Sequence, residues 1–106
     1  MTPTSKRTHA EEIKVSLGDP RAAEQFTAVQ QFLRAHLVVR RDLPNGKDFL
    51  FAGNAAELQR ALKDLVAIEH RASRFLLVDF AKIDDYFLLR VIARPEYIDT
   101  IETYFD

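Results

Sequence analysis

LVVRRDLPNGKDFLFA, residues 37–52, is the stretch that decides the fold class. Two β-favouring runs, Leu37–Leu43 and Lys47–Ala52, flank Pro44, Asn45 and Gly46. Asn-Gly between such runs is the strongest short signal for a β-hairpin, because both residues tolerate φ > 0. A sheet therefore sits near the middle of the chain, and the segments on either side must be reconciled with it.

Downstream, Gly53 is followed by Asn54-Ala55-Ala56-Glu57, a capping-box pattern that opens a helix to about Arg71, with Leu58, Ala61, Leu62 and Leu65 on one face. Arg71 and Arg74 fall where the negative end of that helix favours cations. Phe75–Ala81 and Tyr86–Ala93 are two further strands about a turn at residues 82–85. Both are apolar on two faces, which predicts a hairpin that is central or covered twice. Arg94 and Pro95 end it, and Tyr97, Ile98, Ile101, Tyr104 and Phe105 lie at the spacing of a short last helix.

Upstream, Asp19-Pro20 starts a helix to about His36, since Asp caps well and proline at the first helical position forfeits no hydrogen bond. Its stripe is Ala22, Phe26, Val29 and Leu33, widened by Phe32. Before it, Ile13, Val15 and Leu17 alternate with Lys14 and Ser16, the period of a half-buried strand, ended by Gly18. Residues 1–11, MTPTSKRTHAE, are polar and aperiodic, which reads as a flexible tail before a single α+β domain over 12–106. The resulting order, β-α-β-β-α-β-β-α, predicts a mostly antiparallel, ferredoxin-like split βαβ sandwich with an extra C-terminal strand and helix. Two helices cover only one sheet face, so the other needs the terminal helix or a second subunit.

Composition narrows the function. The 106 residues suit one domain, and 47% hydrophobic with 29% charged residues is the balance of a globular chain. Fifteen Lys and Arg against 16 Asp and Glu leave a net charge of −1, unlike a polycation built to coat nucleic acid or a membrane. The absence of cysteine removes disulfides, thiolate zinc sites and thiol nucleophiles. No apolar run has the length of a membrane span or a signal-peptide core, so a cytoplasmic location is expected. His9, His36 and His70 fall in three different elements, which argues against a metal site, and Ser16 and Ser73 lack a nucleophile elbow. Gly53-Asn54 lacks the further glycines or lysine of a phosphate loop. Asp79, inside LLVDFA, is expected to pair across its hairpin with Arg90. Neither catalytic residues nor a cofactor or metal are expected.

Charge is distributed unevenly. Residues 34–47 carry Arg34, Arg40, Arg41 and Lys47 against Asp42 alone, whereas residues 79–106 hold three basic and seven acidic side chains. Within the basic stretch, Gly46, Lys47, Asp48, Phe49, Leu50, Phe51 and Ala52 resemble the third-strand motif of RNA-recognition-motif domains, departing from it at Asp48, where that family usually has glycine. The resemblance implies that Phe49 and Phe51 stack on bases while Arg40, Arg41 and Lys47 meet phosphates, as in a single-stranded nucleic-acid binder. The preferred expectation is a non-enzymatic interaction or regulatory domain. It would be a homodimer that binds another protein or a small ligand through its sheet face or a strand edge, with Arg40, Arg41, Lys47, Phe49 and Phe51 as contact residues.

Overall fold

In the computed structural model, which describes residues 8–73 and 75–105, the chain forms an α+β domain with one four-stranded antiparallel sheet. The elements are α1 (His9–Leu17), α2 (Pro20–Ala35), β1 (Leu37–Leu43), β2 (Gly46–Phe51), α3 (Ala55–Ala72), β3 (Leu76–Ile83) and β4 (Tyr86–Ala93). A single 3₁₀ turn at Pro95–Tyr97 then leads into α4 (Ile98–Ile101).

The first expected strand is a helix. Ile13, Val15 and Leu17 alternate, but Ile13 and Leu17 are also four apart and share a stripe with His9 and Ala10, so the same letters satisfy both periods. Tertiary packing decides between them: Ile13 is buried against the core while Val15 is 60% exposed. Thr8 caps the helix by accepting from the Glu11 amide at 3.2 Å, and Gly18 closes it at φ +65°. The helix thus takes in residues 9–11 of the expected tail, of which 1–7 lie outside the described residues, as does Arg74.

The other helices start where their caps place them. Asp19 Oδ1 accepts from the Arg21 amide and Asn54 Oδ1 from the Glu57 amide, at 3.1 and 3.0 Å. The helix spacing of α3 buries Leu58, Leu62 and Leu65 and then, on the same stripe, Glu69.

Strand order is β1-β2-β4-β3. β2 and β3 therefore run parallel with β4 between them, which makes β2-α3-β3 one split β-α-β crossover. The ferredoxin-like arrangement needs a second such unit beginning with an N-terminal strand, and α1 stands in that strand's place. The β3-β4 hairpin is not central as a unit: β4 is interior, but β3 is an edge strand.

All helices lie on one sheet face. Odd-numbered residues of β2 and β4 and even-numbered residues of β3 point toward them, so Phe49, Phe51, Leu89, Val91 and Val78 are buried. The C-terminal segment packs on this face too. Phe105 meets Phe49 edge-on at 4.9 Å and Phe51 at 5.5 Å, while Tyr104 lies over Phe49 at 5.4 Å. Phe105 adopts φ +65°, a conformation costing a non-glycine residue about 1–2 kcal/mol, which complete burial of its ring offsets. The last helix consequently leaves the opposite sheet face uncovered.

Candidate functional site

The uncovered face is ordered by strand register. Its rows, read from β1 across β2 and β4 to β3, are Leu43-Gly46-Ile92-Leu77, then Arg41-Asp48-Arg90-Asp79, then Val39-Leu50-Leu88-Ala81. Apolar rows thus flank a row of charges alternating plus, minus, plus, minus. Leu77 is 74% exposed at its edge, and Val39, Ile83 and Tyr86 are also exposed.

Asp48 is the centre of the charged row. Arg90 donates to both its oxygens, Nε at 2.8 Å and Nη2 at 2.9 Å, and Arg41 Nη2 donates at 2.7 Å. The two guanidinium groups cover the carboxylate and leave it buried. The hydrogen bonds from Arg90 hold its pKa below the ordinary value, against the upward push of burial and with further help from Arg41. Asp79 faces Arg90 in register, yet its carboxylate accepts from the Phe80 amide at 2.8 Å instead and is exposed. The expected Asp79–Arg90 pair does not form, because Arg90 is turned to Asp48.

The five predicted contact residues do not form one surface. Phe49 and Phe51 are fully buried under the C-terminal aromatics, so a base could not stack on either ring without opening the core. Arg40 also points to the helix side, where it donates to the Phe105 carbonyl at 3.3 Å. Lys47, mostly buried, lies 3.6 Å from Asp42 and 3.7 Å from Glu102. Only Arg41 lies on the uncovered face. Alternation explains the separation, since neighbours along a strand serve opposite faces.

A second arrangement joins residues that the sequence places in separate elements and gives no common role. A cleft of about 640 Å³ opens between α1, the end of α3, the start of β3 and the α4 region. His9, Ile13 and Leu76 form its buried part, and the stacked pair Phe75–Tyr97, with centroids 4.1 Å apart, also lines it. Behind it, His9 Nε2 lies 2.7 Å from Glu69 Oε1, and the Tyr104 hydroxyl donates to the same oxygen at 3.1 Å. The His9 ring stacks on Tyr104 at 4.4 Å. Complete burial, together with the negative charge of Glu69 and the hydrogen bond to it, raises the Tyr104 pKa well above the ordinary tyrosine value. His9 Nδ1 and Glu69 Oε2 are buried without a hydrogen-bond partner.

Signals for this cluster were present in the residues. Thr8-x-x-Glu11 is a capping box before Ile13, and Glu69 continues the apolar stripe Leu58-Leu62-Leu65, which marks it for burial. Their convergence needed the tertiary structure, because His9, Glu69 and Tyr104 come from three distant segments. Among the described residues no group of three or more His, Asp or Glu is placed to hold a metal ion, and no helix is long and apolar enough to cross a membrane.

The chain matches no protein-family model, and neither a curated protein nor a solved structure matches it.

Proposed function

We propose that the protein is an interaction domain that works as a homodimer, with the uncovered sheet face as its contact surface. The observation that carries this reading is the order of charges across that face. Two sheets can pack face to face about a two-fold axis that lies between them, running either along the strands or across them. An axis across the strands sets each residue type against itself and opposes like charges. An axis along the strands, between β2 and β4, reverses the row, so that Arg41 meets the exposed Asp79 of the second copy, while Asp48 stays covered by Arg41 and Arg90 of its own chain. The apolar rows then meet as well, Leu43 on Leu77 and Leu50 on Leu88. Alternating charge selects this partner and this axis over others, because like-charge juxtaposition across an interface is costly.

Light scattering over a concentration series, combined with charge reversal, tests the proposal. Leu77→Asp should give a folded monomer. Arg41→Asp or Asp79→Arg alone should weaken the dimer about tenfold or more, consistent with placing like charges together at an interface. The double variant should recover dimerisation, since the two positions exchange sign together. A wild-type monomer at tens of micromolar, or a double variant no better than the singles, would overturn it. The burial of Phe49 and Phe51 supports this reading over a nucleic-acid binder that would stack bases on those rings.

A further inference from the structure

We infer that His70 and Asp79 hold the outer edge of β3 closed against strand addition, and that the partner they exclude is β3 of a second copy. The hydrogen-bond pattern of the sheet shows which groups of that edge face outward. The Ala93 amide donates toward β2, to the Asn45 carbonyl at 2.8 Å, so Ala93 turns its polar backbone away from β3. Its register partner in β3 is Leu76, and the alternation of an antiparallel ladder then directs the N–H and C=O of Leu76, Val78, Phe80 and Lys82 outward. Two of these outward groups are occupied by side chains. His70 Nε2, from the end of α3, donates to the Val78 carbonyl at 3.3 Å, and Asp79 Oδ1 accepts from the Phe80 amide at 2.8 Å.

An edge of this kind needs such a guard. β1, the opposite edge, is interrupted by a register shift between Leu37 and Val39 and carries Arg40 and Arg41, whereas β3 is paired without interruption from Leu76 to Ile83 and bears the exposed side chains of Leu77 and Ile83. A long regular edge with apolar side chains is a template for another strand. β3 is also complementary to itself. About a two-fold axis beside Phe80 and perpendicular to the sheet, the two Phe80 residues exchange N–H···O=C bonds, and Val78 exchanges them with Lys82 of the second copy. Leu77 then lies opposite Ile83, and Asp79 opposite Ala81. Moving the axis to residue 79 would oppose the two Asp79 side chains, and moving it to residue 81 would leave Leu77 unpaired. The two guarded groups, the Val78 carbonyl and the Phe80 amide, are both required in the favoured register. This edge is separate from the uncovered face, and its closure is independent of the dimer proposed above.

Removing both guards from the full chain tests this. His70→Ala with Asp79→Ala frees the edge, and both residues are exposed, so neither substitution opens the core. Asp79→Asn removes the same charge from the uncovered face but keeps an oxygen for the Phe80 amide, so comparing the two cancels the contribution of that face. Sedimentation should show the double variant associating at least about tenfold more tightly than Asp79→Asn, the factor that one net hydrogen bond supplies. In NMR of mixed labelled and unlabelled protein, an Hα contact between position 79 of one copy and Ala81 of the other should appear in the double variant alone. Adding Lys82→Pro, which removes an outward N–H that β4 does not use, should return association to the level of Asp79→Asn. Equal association of the double variant and Asp79→Asn, intermolecular contacts that leave out Ala81, or undiminished association with Lys82→Pro would each overturn the inference.

Discussion

Gly46 shows how a single residue can be right for the hairpin and right for a different reason. The two-residue turn is Pro44-Asn45, Gly46 already pairs with Leu43 in the ladder, and neither Asn45 nor Gly46 has positive φ. Glycine is required there because a Cβ would collide with the Val91 carbonyl oxygen and lie 3.0 Å from Ile92 Cα in the neighbouring strand. Gly46→Ala should therefore cost about 2–3 kcal/mol, in the range of overpacking, as measured by urea unfolding. Asp48 is the other residue whose role is specific. Its pKa is lowered in the folded state, so its contribution is present above the unfolded value of about 3.9 and is lost as pH falls through the lower folded value. Asp48→Asn should destabilise by about 1–2 kcal/mol at pH 7, modest because the two arginines remain solvated. The gap between variant and wild type should close as pH drops below about 4, a comparison that chemical denaturation at several pH values makes directly.

Among the elements, α1 is the one whose type and role both change with tertiary structure. Removing residues 1–10 would do nothing to a loose tail, but it takes away the Thr8 cap and His9, leaving Glu69 with only the Tyr104 donor. Stripping one partner from a buried pair costs about 3–5 kcal/mol, so the truncation should lower the thermal midpoint markedly. In α3, Leu62 is fully buried, and Leu62→Ala should cost about 2–4 kcal/mol in urea unfolding. Val78 in β3 is buried and should give about 1–3 kcal/mol on truncation to Ala, whereas its neighbour Leu77, facing away from the helices, should leave the stability of the monomer nearly unchanged. This contrast between adjacent positions measures which face of β3 meets the core.

For the whole molecule, a dimer held through the open face makes stability depend on concentration. The thermal midpoint should rise with protein concentration for wild type and be independent of it for Leu77→Asp, because association favours the folded state by mass action. Strand edges remain free in such a sandwich, and β1 guards its edge with Arg40 and Arg41.

What the residues determine by themselves is local. The Asp19 and Asn54 caps, the stripes of α2 and α3, and the two hairpins follow from capping chemistry and from periods of 3.6 and 2, which act over a few neighbours. That the two main helices would cover only one sheet face was also legible, from counting helices against strand surface. Contacts distant in sequence settled the remainder. Ile13 satisfies both a strand and a helix pattern until the core accepts one of them, and Phe49 and Phe51 can serve as platform or core until Tyr104 and Phe105 fold over them. His9 and Glu69 stand sixty residues apart and acquire a common chemistry only when α1 is laid beside α3. Local propensity is nearly balanced at each of these positions, so the burial of a few large side chains decides the outcome.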